Sequence, residues 1–258
     1  MASNPVLPSV RSANASLLAE LPFDDAQDFD DAQRGFIGRL EPCIVRDADD
    51  RVVWDNESYR AFLDGPAPDS ANPSLWRQSQ LNAIDGLFEV VPGIYQVRGF
   101  DLSNITFVEG ETGVLVIDPL VSSETAAAAL ALYRQHRGDR PVVGVIYSHS
   151  HVDHFGGVKG VTSQEDVDAG RCVVLAPDGF MEHAASENVY AGTAMLRRSG
   201  YMFGAALERG PAGQIGTGLG QTNSTGTISL IAPTDTITTT GETRVVDGIR
   251  MEFQNTPG

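Results

Sequence analysis

The sequence predicts an α/β fold built around a parallel strand–helix–strand crossover. Three observations carry that expectation. The runs "TGVLVIDP" and "PVVGVIYS" are β-branched, apolar and too short for helices, as buried strands are. Between them lies "SSETAAAALALYRQHRG", an alanine-rich helix with Ser122 or Ser123 as N-cap and Gly138 at its C-terminal end. A further apolar run, "CVVLAP", follows. Strand, helix, strand in that order implies parallel pairing through a crossover.

Residues 1–85 read as an N-terminal extension wrapping the core, and residues 86–258 as the main α/β domain. The first segment is acidic and broken by Pro5, Pro8, Pro22, Pro42, Pro66, Pro68 and Pro73, which argue against long periodic elements. Short helices are expected in "DAQDFDDAQRGFIGRL", where Phe36, Ile37 and Leu40 fall near helical spacing, and in "NESYRAFLDG". From residue 86 the texture turns to β-rich runs separated by glycine and aspartate: "LFEVVPGIYQVRG", then "NITFVEG" and "TGVLVIDP" joined as a hairpin through "EGETG". After the crossover, "DGFMEHAASENVYAGTAMLRRSGYMFGAAL" predicts one long or two broken helices starting at Asp178. The glycine-rich "GPAGQIGTGLGQTNSTG" does not fit a dinucleotide fingerprint and is expected to be a covering loop. The threonine-rich remainder predicts successive strands.

Composition narrows the partners. The 34 acidic side chains outnumber the 18 basic ones, for a net charge of -16, which argues against nucleic acid or an anionic membrane surface. An anionic substrate would need locally concentrated positive charge, such as metal ions. No segment approaches the roughly 20 apolar residues of a membrane span. With no visible signal peptide, a cytoplasmic location is the default expectation, and secretion or a periplasmic location stays open. Cys43 and Cys172 form no C-x-x-C pair, so no cysteine metal site is suggested.

Three of the five histidines fall within six positions of "VIYSHSHVDHFGG", at the exit of a buried strand. That exit is where α/β folds place ligands. Imidazole and carboxylate suit Zn²⁺ and its neighbours. Alternation along an extended strand end lets His149 and His151 grip one ion, while Asp153 and His154, past the turn, face a second. Gly156 and Gly157 let the backbone turn away behind them. His136 and His183 read as surface positions.

The "HSHVDH" stretch resembles the His-x-His-x-Asp-His signature of the metallo-β-lactamase superfamily. "RGFDLSNITFVEGETGVLVIDPL", "SENVYAGTAMLRRSGYMFGAAL" and "AALERGPAGQIGTGLGQT" extend the likeness to its alkyl sulfatase branch, from about residue 30 to the end. The resemblance implies an αββα sandwich, present here as its N-terminal portion. It also implies two Zn²⁺ per complete active site and hydrolysis of alkyl sulfates such as dodecyl sulfate by a metal-activated water. Under it His149, His151, Asp153 and His154 are the metal ligands, with Asp153 counted as catalytic. Asp118, at the end of "VLVIDP", is a near-site group orienting a ligand histidine; without the resemblance it reads as a turn residue. Arg197 and Arg198 are candidates to reach the sulfate, or else a solvated helix face. A homodimer is implied for the full-length protein. The family's remaining glutamates and third histidine lie past "NTPG", so a portion of a longer protein is expected, or a catalytically incomplete chain. Hydrolysis of a thioester, lactone or phosphodiester is the alternative activity, since one fold hosts many chemistries.

Overall fold

The computed structural model describes residues 5–256. In chain order its elements are α1 (Pro8–Glu20), α2 (Gln27–Gln33), β1 (Phe36–Gly38), β2 (Ile44–Arg46), β3 (Val52–Asp55), α3 (Glu57–Leu63), α4 (Pro73–Asn82), β4 (Gly86–Val91), β5 (Ile94–Arg98), β6 (Ile105–Glu109) and β7 (Val114–Ile117). They continue with α5 (Ser123–Arg137), β8 (Val142–Ile146), α6 (Gln164–Asp168), β9 (Val173–Pro177), α7 (Phe180–Ala185), α8 (Gly192–Met202), β10 (Asp235–Ile237), β11 (Glu242–Val246) and β12 (Ile249–Phe253).

Eight strands form one sheet in the order β1-β4-β5-β6-β7-β8-β9-β10. Pairing is antiparallel from β1 to β7 and parallel from β7 to β10. The change of sense falls where α5 carries the chain from β7 to β8, as the crossover requires. The α5 helix starts at Ser122, whose hydroxyl accepts from Thr125 N–H, and stops at Gly138, held at φ 93°.

The central strands are apolar throughout because both faces are covered. Successive side chains point to opposite sides. Val114, Val116, Val145 and Val174 join the main core with Ala126, Ala129 and Tyr133 of α5. Leu115, Ile146 and Leu175, one position along each strand, pack on Val246, Ile249, Met251 and Phe253 of the β11–β12 hairpin. Helix, sheet and second sheet layer therefore stack in the order the sandwich expectation demands. The Asp247 carboxylate pins that hairpin by accepting from Thr112 N–H, Thr112 Oγ–H and Gly113 N–H.

The N-terminal segment departs from expectation in two ways. The helix over Phe36, Ile37 and Leu40 does not form: α2 ends at Gln33, Gly35 turns at φ 73°, and Phe36–Gly38 becomes a strand paired with β4. Tertiary pairing overrides the local spacing there. The prolines, in turn, start helices as well as breaking them, since Pro8 and Pro73 occupy the first turn of α1 and α4, where a missing N–H costs nothing. The glycine-rich segment packs on this region, with Ile215 in a cluster formed by Tyr59, Leu63 and Trp76. Tyr59 Oη donates to Gln214 Oε1 at 2.7 Å. Of the threonine-rich remainder, residues 227–234 form no strand.

Gly157 ties the histidine loop to the β7–α5 connection. Its N–H donates to Leu120 O at 3.0 Å, and a Cβ there would lie 2.0 Å from Pro119 O and 2.6 Å from Ser122 O. Gly157→Ala is expected to destabilise the fold by about 2 kcal/mol, in the usual range for overpacking. Gly192→Ala, which meets nothing within 4 Å, is expected to stay within about 0.5 kcal/mol. Urea unfolding of the two variants checks both.

Candidate metal centre

The β8 strand ends at Ile146 on a rigid floor. Tyr147 is buried, donates its hydroxyl to Ile231 O at 3.1 Å, and stacks on Phe180 at 4.9 Å between ring centroids. Ser148 to His151 leave regular structure, and Val152–His154 make one tight turn. Gly156 N–H then closes onto Val152 O at 2.8 Å, and Ser103 Oγ–H donates to Asp153 O. The loop is thus held at both ends and in the middle.

Asp118, at the end of β7, is the hub. Its N–H donates to Ile146 O at 3.0 Å, and its Oδ1 accepts from Ser148 N–H at 2.8 Å. Its Oδ2 accepts from Ser148 Oγ–H at 2.7 Å and faces His154 Nδ1 at 2.8 Å. Asp118 and Leu120 both adopt positive φ, 55° and 62°. Two such residues so close together are strained, and persist because the surroundings over-determine them.

The three imidazoles cluster, with ring centroids 4.0 Å apart for His149 and His154 and 4.6 Å for His149 and His151. Each has at least one nitrogen facing a protein oxygen, and His154 has both. Ser148 Oγ stands 2.9 Å from His149 Nδ1; its single proton goes to Asp118, so it accepts from Nδ1–H and leaves His149 Nε2 as a lone pair. His154 Nδ1 is engaged by Asp118, and Glu187 Oε1 stands 3.4 Å from His151 Nε2. Metal-ligating histidines are oriented in this way, one nitrogen held by an oxygen and the other presented to the ion.

The charge pattern follows from this packing. Burial alone would lower the His154 pKa, but Asp118 and Asp153 together outweigh it and raise it to about 9. Burial, reinforced by the neighbouring His154 and His151, holds His149 below its ordinary value. Burial would raise Asp153, yet hydrogen bonding and charge from His154 bring it below the usual carboxylate range.

His154 Nε2 lies 3.2 Å from Asp153 Oδ2. Two ligands roughly 2.1 Å from one tetrahedral ion stand about 3.4 Å apart, so this pair is spaced as co-ligands are. Among the described residues no group of three or more such donors is arranged to hold an ion. The donor chemistry and this one pair fit a divalent cation.

A cleft of about 360 Å³ opens beside Asp118, Asp153 and His154, walled by Gln96, Leu102, Thr106, Ile117 and Leu219. A larger cavity, about 920 Å³, lies among Phe29, Arg39, Arg60 and Asp85, and none of the histidines lines it. Arg197 and Arg198 are exposed on α8 and do not line the cleft. His136 and His183 are exposed as well. Sequence reasoning missed Ser148, Ser103 and Glu187. Only Ser148, inside the motif, carried a local signal.

A model of the metallo-beta-lactamase superfamily matches residues 98–252. The chain is 54% identical over 257 residues to a linear primary-alkylsulfatase of Pseudomonas sp., covering 99% of this chain and 38% of that protein. It is 48% identical over 252 residues to an alkyl/aryl-sulfatase of Saccharomyces cerevisiae, covering 97% of this chain and 39% of the relative. The solved structure of a stereoselective inverting sec-alkylsulfatase from Pseudomonas sp. superposes with a TM-score of 0.92 at 48% identity, over 98% of this chain and 40% of that one. The chain thus spans about two fifths of the length of these proteins.

Proposed function

The chain belongs to the metallo-beta-lactamase superfamily, and from that premise we propose that its histidine loop serves zinc-dependent hydrolysis of alkyl sulfate esters to alcohol and sulfate. The observation that carries this reading is the pairing of each histidine with an outer oxygen, Ser148 Oγ, Glu187 Oε1 or Asp118 Oδ2. The likeness to alkylsulfatases over nearly the whole chain supports the substrate class.

His149 and His151 would hold one cation, and Asp153 and His154 the other. Bound zinc would supply Lewis acidity toward a sulfate oxygen and lower the pKa of a bound water. The chain's own groups prepare the site for this. Asp118 faces His154 Nδ1 and, through Ser148, holds a proton on His149 Nδ1, so that on metal binding the Nε2 atoms of both rings would be the ones to face the ions, that of His154 after giving up its proton. The net charge of -16 disfavours an anionic ester, and no arginine or lysine lines the cleft beside Asp153. Cations held by the loop would offset the sulfate charge. Leu102, Ile117 and Leu219 give the alkyl chain an apolar wall.

Among the described residues no helix is long and apolar enough to cross a membrane. A homodimer of the intact protein is supported by exposed apolar side chains on and beside α8, with Tyr190 at 87% and Tyr201 at 85% exposure.

The full-length protein, loaded with zinc, is expected to release sulfate from dodecyl sulfate and to turn over a thioester, a lactone and a phosphodiester far more slowly. A chelator should abolish sulfate release and added zinc restore it. Faster turnover of any other ester in the panel, or indifference to the chelator, would overturn the assignment.

A further inference from the structure

We propose that Glu187 is a positioning residue for His151, a role that rests on the metal-centre reading above. His151 is the most exposed of the three loop histidines, its side chain 58% accessible against 22% for His154. A ring that open has freedom about both side-chain torsions unless something fixes it. Among the described residues the only protein oxygen placed against either of its nitrogens is Glu187 Oε1, 3.4 Å from Nε2. A carboxylate can only accept there. With an ion held on Nδ1, the ring proton would sit on Nε2 and face Glu187.

The backbone places Glu187 with some rigidity. The segment Ser186–Tyr190 is a wide π-type turn inserted between α7 and α8, closed by Ala191 N–H donating to Ser186 O at 2.9 Å. Such insertions re-aim side chains and are frequent at functional sites. Asn188 Nδ2–H anchors the turn by donating to Ala184 O at 2.9 Å. Upstream, α7 is fixed to the histidine loop itself. Its buried Phe180 packs against Tyr147 and Phe155, with centroids 4.9 and 5.5 Å away, and these two residues bracket the motif on either side. The carboxylate and the imidazole are thus mounted on one aromatic block, although 36 residues separate them in sequence.

Ser148, Asp118 and Glu187 then form a complete outer set, one oxygen for each imidazole. Glu187 differs from the other two in being contributed by an element remote from the crossover.

The test is zinc affinity of the full-length protein, measured by competition with a chromogenic chelator, alongside thermal unfolding of the metal-free form. Glu187→Ala is expected to weaken zinc binding roughly 10- to 100-fold, the usual cost of losing such a partner, and to leave the metal-free melting curve unchanged. Glu187→Gln, whose amide oxygen can still accept from Nε2–H, is expected to recover affinity to within a few-fold. Glu182→Ala, which removes an exposed carboxylate from the adjoining helix α7, is expected to bind zinc as the unmodified protein does. Native affinity in Glu187→Ala overturns the proposal and leaves the metal centre standing. A lowered metal-free melting point with no rescue by glutamine overturns it in favour of a purely structural role. Failure of the unmodified protein to bind zinc overturns the metal centre itself.

Discussion

Asp153→Ala is expected to lower kcat/KM for dodecyl sulfate by about a thousand-fold or more, beyond the roughly 10- to 100-fold that loss of a supporting partner costs. The Asp153 carboxylate faces His154 Nε2 at 3.2 Å with its side chain 17% exposed, and it stays ionised despite burial because His154 stabilises the charge. Removing it deletes one of the two donors assigned to the second cation. It also leaves an imidazole nitrogen aimed at a void. Asp153→Asn keeps the shape and removes the charge that a hard divalent ion requires, so it is expected to fall nearly as far. The metal-free protein should lose some stability, because His154 is left with Asp118 as its one carboxylate partner, but the loop should keep its course, being pinned through the Asp153 carbonyl by Ser103. Zinc content per chain, measured with the kinetics, separates loss of metal from loss of rate. Activity within tenfold of native in both variants would remove Asp153 from the site.

Local sequence carried the crossover and the centre of the candidate site because the physics there is local. The β-branched runs of β7 and β8, Ser122 and Gly138 at the ends of α5, and the spacing of His149, Asp153 and His154 all lie within a few residues of the features they specify. What escaped notice depends on distant partners. β1 has three residues and no periodicity of its own, and it exists because Gly35 turns it against β4. The glycine-rich segment announces a loop by composition, but burial of its Gln214, Gln221 and Ser224 follows from polar partners elsewhere in the fold. Glu187 reaches His151 only through a π-type turn, a detail no spacing rule encodes.

Asp118 is the position where site and fold are most strongly coupled, and a graded series should separate the two. Asp118→Ala removes the acceptor for Ser148 N–H, Ser148 Oγ–H and His154 Nδ1–H at once. It also places a β-carbon residue without a polar side chain at φ 55°, costing about 1 kcal/mol in backbone strain. With donors left unsatisfied, a total loss of about 3 kcal/mol is expected in urea unfolding. Asp118→Gly loses the same acceptors without the strain, so it should be more stable than the alanine variant by about 1 kcal/mol while binding zinc no better. Asp118→Asn tolerates positive φ but supplies one acceptor and turns an NH₂ toward donors, so it should fold best of the three and still lose zinc affinity 10- to 100-fold. The metal-free protein gives an independent reading. The folded pKa of His154, about 9, lies above the ordinary histidine value of 6.5, so its contribution to stability is full below pH 6.5 and is lost as pH rises through 9. All three variants should shrink that window by moving its upper edge down, which a pH series of unfolding curves and the His154 ring resonances would both record. An upper edge that stays near pH 9 in Asp118→Asn would mean that Asp153 alone holds the imidazolium, and that the hub assigned to Asp118 belongs elsewhere.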